Sequence, residues 1–101
     1  MKKRNIKALV NKAVREGGYM DMIEKISLFG SYARGEETKK SDIDLLIEFT
    51  PRAPIGYFEL YDIQEDLRKA LGIRVDLLTP DAISPYLINQ IVSEAKSIYE
   101  K

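Results

Sequence analysis

Ser41-Asp42-Ile43-Asp44-Leu45-Leu46-Ile47-Glu48-Phe49 is the clearest strand in this 101-residue sequence. Ile43, Leu45, Ile47 and Phe49 fall on one face, and Asp42, Asp44 and Glu48 on the other, the period-two alternation of a half-buried strand. Asp42 and Asp44 therefore leave the same face about 6.6–6.8 Å apart at the backbone, and both can converge on one point above the sheet. Two carboxylates about 5 Å apart repel by roughly 3 kcal/mol at an effective dielectric of 20, and by under about 1 kcal/mol in water. A cation would relieve that repulsion. Taken alone the pair decides nothing, because acidic residues on the solvent face of an antiparallel strand are ordinary.

Upstream, the short apolar segment Ile23–Phe29 reads as a strand closed by Gly30-Ser31, with a helical turn through Tyr32-Ala33-Arg34 and a charged loop over residues 36–40. Glycine lets a backbone approach a phosphate closely, and the Ser31 hydroxyl and neighbouring N–H groups can donate to it. The same residues also suit a plain strand-to-helix turn with a serine cap. Gly30 and Gly35 have the gap of a Walker A loop, but Glu36 and Glu37 stand where Lys and Ser/Thr are required, so that reading fails.

Further out, Ile6, Leu9, Val10, Ala13 and Val14 repeat at helical spacing until Gly17-Gly18. Pro51 and Pro54 mark a loop, and a helix follows over Tyr57–Leu71, with Phe58, Tyr61, Leu67 and Leu71 expected to face the core and Gly72 ending it. Ile73-Arg74-Val75-Asp76-Leu77-Leu78 is a third strand, placing Arg74 and Asp76 on the face opposite Ile73, Val75 and Leu77. A last helix is expected from Ser84-Pro85 to about Glu94, with a short terminal strand over residues 97–99. The order helix, strand, strand, helix, strand, helix predicts one α/β (α+β) domain over residues 1–101, a small mixed sheet flanked by helices.

Composition narrows the chemistry. Sixteen basic and sixteen acidic residues cancel, whereas a protein gripping nucleic acid through its phosphates usually shows a basic excess. No direct nucleic-acid binding is expected. Cysteine and histidine are absent, which excludes disulfides, cysteine zinc sites, histidine bases and every Ser-His-Asp or Cys-His arrangement. Carboxylate, lysine, tyrosine and hydroxyl chemistry remain. All-oxygen donors favour Mg2+ or Mn2+ over zinc, and Asp76 can supply a third carboxylate to Asp42 and Asp44. Three acids around one or two divalent ions suit phosphoryl and nucleotidyl transfer. No apolar run approaches the roughly 20 residues of a membrane span. The basic start, residues 1–7, is followed by no signal core, and a cytoplasmic protein is expected.

Gly30-Ser31-Tyr32-Ala33-Arg34-Gly35, five further residues, then Ser41-Asp42-Ile43-Asp44-Leu45 resembles the signature of the minimal nucleotidyltransferases (MNT), the smallest members of the DNA polymerase beta nucleotidyltransferase superfamily. Their pattern is Gly-Ser, ten residues, Asp-x-Asp, matched here by residues 32–41. The resemblance extends over nearly the whole chain, with Asp76 in the place of a third family acid on a later strand. It implies a nucleotidyltransferase fold, with Asp42, Asp44 and Asp76 as catalytic and metal-coordinating residues and Asp76 also a candidate general base. Gly30, Ser31, Arg34 and Ser41 would lie on the nucleotide, Arg34 being equally suited to a structural salt bridge. Lys39 and Lys40 read as a solvated charge run, Arg74 as a screen on the acidic face, and Tyr57 and Tyr61 as core or partner-facing. The implied reaction transfers NMP, AMP from ATP in particular, to an acceptor with release of pyrophosphate.

About 25 residues follow Asp76, room for one helix and a strand, so the acceptor surface is expected to come largely from another protein. That layout resembles the MNT antitoxins that accompany HEPN-domain RNase toxins, and it implies an antitoxin that AMP-modifies a tyrosine of a HEPN partner. Two other functions stay open: a non-catalytic antitoxin that neutralises its partner by binding, and a stand-alone small-molecule nucleotidyltransferase working as a homodimer. Base preference, homo- or hetero-oligomeric state and metal count are not readable from the sequence.

Overall fold

The computed structural model describes residues 5–101; residues 1–4 of the basic start lie outside them. Helix α1, Ile6–Gly17, begins where the Asn5 side chain accepts the Ala8 N–H at 3.1 Å, a cap for one of the donors a helix start leaves unpaired. Strand β1 is Ile23–Phe29, the short helix α2 is Ser31–Arg34, and β2 is Ile43–Phe49. Helix α3, Tyr57–Leu71, starts with the Gly56 N–H donating to the Glu59 carboxylate at 2.6 Å and ends at Gly72. Strand β3, Val75–Leu78, leads through a 3-10 turn, Pro80–Ala82, to helix α4, Ile88–Glu94, and strand β4, Lys96–Glu100.

The sheet order is β3-β2-β1-β4. β1 pairs antiparallel with β2 and β4, whereas β2 pairs parallel with β3. A parallel neighbour needs a crossover, and α3 supplies it. The expected small mixed sheet is thus present, with β4 as a full edge strand. α1 and α3 pack together over one face of the sheet. Ile43, Leu45 and Ile47 of β2 join Ile26 of β1, Val10 of α1 and Leu67 of α3 in a continuous core. The Asp44 face is less polar than the alternation predicts, for Leu46 and Phe29 are also buried.

Two expectations are corrected. Phe58 and Tyr61 do not face the core: they are 84% and 60% exposed, and Tyr57 is exposed as well. Ile63, Leu67 and Leu71 are the buried residues of α3, and at about 100° per residue Phe58 and Tyr61 lie about 140° and 160° round the helix from Ile63. The last helix starts later than Ser84, because residues 84–87 form a turn in which both the Leu87 and Ile88 N–H groups donate to the Ser84 carbonyl. Among the described residues no helix is long and apolar enough to cross a membrane.

Candidate active site

β1 runs out at Phe29, paired across the sheet with Asp44 of β2. Asp44 pairs on its other side with Asp76 of β3. Neighbours in register show their side chains on the same face, so two of the expected acids, on strands joined only through α3, stand side by side. Asp42 lies two residues back on that face. Its Oδ1 is 3.9 Å from the Arg74 Nε, with both side chains substantially exposed, a pair worth little in energy. Arg74 thus stands beside Asp42, and its carbonyl accepts the Ile43 N–H at 2.9 Å, fastening the start of β2 to β3.

Gly30 follows Phe29 with φ 76 and ψ −155, a conformation essentially reserved to glycine. The space beside it is equally restrictive. A Cβ built on Gly30 would collide with Asp44 Oδ2 and lie 3.1 Å from its Cγ. The backbone of the Gly30 turn therefore lies against the Asp44 carboxylate, with no side chain between them. α2 hangs from the same residue, the Ala33 and Arg34 N–H groups both donating to the Gly30 carbonyl.

Burial, first of all, pushes the Asp44 carboxyl above its ordinary range, and the neighbouring charges of Asp76 and Asp42 push it further; Arg34 opposes them, and Glu94 adds to the rise. The causes agree with the packing, since Phe29 and Leu46 are buried on this side of the sheet. Loss of hydration and like charges both disfavour the ionised carboxylate.

The expected nucleotide-side residues differ in their surroundings. Gly30 and Ser31 form the turn beside Asp44. Arg34 is held in the salt bridges that were one of its two expected roles: Nε donates to Glu36 at 2.8 Å, and Nη1 donates to both Glu94 oxygens at 3.2 Å. Those hydrogen bonds, Glu36 first and then Glu94, raise the pKa of the guanidinium. The Ser41 hydroxyl is engaged within its own loop, where it accepts the Thr38 N–H at 2.8 Å. Lys39 and Lys40 are exposed, as a solvated run should be.

Glu94 is the residue that sequence reasoning missed. It closes α4, 64 positions from Gly30, yet its Oε1 accepts the Gly30 N–H at 3.3 Å as well as the Arg34 guanidinium. One signal was available: a carboxylate at a helix C-terminus opposes the helix dipole, so its presence there points to a partner elsewhere.

Among the described residues no three acidic side chains stand close enough to cage an ion unaided. That is compatible with Mg2+, which keeps several waters and is held by one or two carboxylates together with substrate phosphates. The all-oxygen donors and the raised Asp44 carboxyl fit such an ion. A cleft lined by Gly17, Tyr19, Tyr61, Asp62 and Asp66 among others uses none of these residues. What the arrangement offers is an acidic face beside a tight glycine turn, suited to receiving a phosphate chain with its counter-ions.

Comparison with known proteins agrees with this geometry. The nucleotidyltransferase domain family matches residues 7–98. A Methanocaldococcus jannaschii protein named as a candidate protein adenylyltransferase is 44% identical over 70 residues, 68% of this chain and 70% of that one. The protein adenylyltransferase MntA of Thermococcus cleftensis is 32% identical over 72 residues, 71% of each chain. A chain from the crystal structure of a toxin–antitoxin complex with AMP-PNP superposes with a TM-score of 0.75 at 25% identity, over 94% of this chain and 73% of that one. With its mixed sheet, its Gly30 turn and its paired acids, the chain belongs to the nucleotidyltransferase domain family, enzymes that transfer nucleotides.

Proposed function

We propose that this enzyme transfers AMP from ATP to a tyrosine hydroxyl of a HEPN-domain RNase toxin and thereby acts as its antitoxin. The observation that carries the reading is the register that sets Asp44 between the Gly30 turn and Asp76. A phosphate chain lying on the Gly30-Ser31 turn would have its α-phosphorus beside these carboxylates. Support for ATP and for a toxin partner comes from the similar toxin–antitoxin chain solved with AMP-PNP, and for a protein acceptor from the relatives named as adenylyltransferases.

In the proposed reaction the acceptor oxygen forms a bond to the α-phosphorus while the bond to the pyrophosphate oxygen breaks. The acceptor proton passes to a carboxylate, with Asp76, the more exposed of the Asp44–Asp76 pair, as the candidate base. Asp42, Asp44 and Asp76 would hold Mg2+ or Mn2+, which when bound polarises the phosphate oxygens and offsets the charge of attacking and leaving groups. Gly30 and Ser31 position the phosphates by backbone and hydroxyl donors. The part of the chain itself is orientation and charge placement, where nucleotidyl transfer gains most of its rate.

The deciding experiment is the intact mass of a cognate HEPN-domain protein incubated with this chain, ATP and Mg2+, beside an Asp42→Asn/Asp44→Asn control. A gain of one or more AMP units, absent in the control, is the expected result. A complex that blocks the RNase with no mass gain would sink the transfer reading in favour of neutralisation by binding. Transfer to a small hydroxylated acceptor with no protein partner would favour the stand-alone enzyme.

A further inference from the structure

Residues 83–93 contain no charged side chain, eleven positions in a row in a chain that is 32% charged. Six of the eleven are Ile, Leu, Val or Tyr, and a stretch so rich in these side chains usually has most of them buried. Here they are not: α4 buries none of its residues. Tyr86 is 95% exposed, Leu87 51% and Val92 56%, while Ile88 and Ile91 are half-buried. Uncharged surface carrying an exposed aromatic and aliphatic residues is the composition of an interface centre, where charges are depleted and aromatics enriched.

Its position is as telling as its composition. α4 ends on Glu94, which accepts from the Gly30 N–H and the Arg34 guanidinium, so this helix is clasped to the turn beside Asp44. Seven residues of α-helix rise only about 10 Å, and Val92 lies within a turn of Glu94. The exposed aromatics of α3 do not share this place: α3 follows the far end of β2 from Asp44.

We propose that residues 84–92 are the docking surface for the acceptor protein; the inference rests on the transfer reading above. The charges beside the surface specify the occupant. Glu94 ends the helix on the Gly30 turn, and Asp44 beside that turn feels the charges of Glu94, Asp76 and Asp42; among the described residues Arg34 pairs with Glu94 and Arg74 with Asp42. The complement is an apolar, uncharged protein face anchored on Tyr86 and flanked by basic residues that meet the acidic edge. Its acceptor hydroxyl lies on the basic flank and is delivered to Asp44 and Asp76 when the apolar face seats. A large exposed aromatic at the centre of such a face is the expected hot spot.

The test uses the full chain and the HEPN-domain protein of the mass experiment. Wild type, Tyr86→Ser and Val92→Lys are compared by calorimetric binding to that protein, by acceptor KM and kcat for AMP transfer, and by ATP binding with Mg2+. Both side chains are exposed, so the variants fold, which circular dichroism checks. The expected result is a loss of acceptor affinity of roughly thirtyfold or more, a matching rise in acceptor KM with kcat at saturation unchanged, and an ATP Kd within about twofold of wild type. Wild-type-like acceptor binding by both variants would overturn the proposal. So would absence of a wild-type complex, or a wild-type homodimer that Tyr86→Ser dissolves, since the occupant would then be a second copy. A complex that forms and weakens on Tyr86→Ser, but in which wild type transfers no AMP, would uphold the docking surface and overturn the transfer reading.

Discussion

Gly30 carries two constraints at once, a φ of 76 and a backbone pressed against the Asp44 carboxylate. Gly30→Ala must either twist the turn or displace Asp44. It should cost about 1–3 kcal/mol of stability and lower AMP transfer by at least about a hundredfold, the cost of misplacing reacting groups by about 1 Å. Urea unfolding and the mass assay read the two effects; an active, stable alanine variant would refute the close-approach argument. Asp44 is strained in a different sense. Its folded pKa is raised, by burial first and then by Asp76 and Asp42, so between the ordinary carboxylate value and that raised value the folded protein holds more protons than the unfolded chain. Stability therefore falls as pH rises through that window and stays lowered above it. Asp44→Asn should abolish transfer yet stabilise the apo protein at neutral pH. Discounted for solvent, the gain is ~1 kcal/mol, or ~4–8 °C in Tm for a domain of this size, and it should vanish in scans below the ordinary carboxylate pKa. A lower Tm for the asparagine variant at neutral pH would show that Asp44 is satisfied rather than strained.

At the scale of elements, patterns with a strong period were legible and contacts between distant elements were not. β1 and α3 have the boundaries their sequences predict, because an apolar run and a glycine stop are local signals. The size and apolar character of Phe58 and Tyr61 predict core positions, but their angle from Ile63, Leu67 and Leu71 turns both to solvent. The paired variants make the distinction measurable. Leu67→Ala, at a site 1% exposed, should cost about 2–5 kcal/mol, whereas Phe58→Ser should change stability by within about 0.5 kcal/mol. Equal effects in chemical denaturation would restore Phe58 to the core. The Asp44–Asp76 pairing depends on the register of a parallel pair set by the α3 crossover, which no local pattern encodes. The Glu94 clasp lay still further out of reach, joining the end of α4 to a turn 64 residues away. Because Glu94 occupies donors that face the proposed phosphate position, Glu94→Gln should free Arg34 and remove one negative charge. ATP binding with Mg2+ should then tighten by about two- to fivefold, as expected for ~0.5–1 kcal/mol at a partly exposed ion pair. Weaker ATP binding in calorimetry would instead make Glu94 a support of the turn.

Across the whole molecule the charges sum to zero, but they are not spread evenly. The helix-covered side of the sheet holds a continuous apolar core, and Asp42, Asp44 and Asp76 gather at the opposite face, where Arg74 stands against Asp42 and Arg34 against Asp44. Such a fold carries its own repulsion until counter-charge arrives, and ATP without a metal would add to it. Nucleotide and Mg2+ should therefore stabilise the protein only together. With ATP at about 100 times its Kd the gain is ~2.7 kcal/mol by mass action, a Tm rise on the order of 10 °C or more. A chelator should remove the rise, and in Asp42→Asn/Asp44→Asn it should shrink to a few degrees at most. Differential scanning calorimetry with ATP, Mg2+, both and neither separates the terms. A full shift with ATP alone would mean that the nucleotide is held by Arg34 and the Gly30 turn without help from the carboxylates, and the metal-dependent chemistry proposed for Asp42, Asp44 and Asp76 would lose its physical basis.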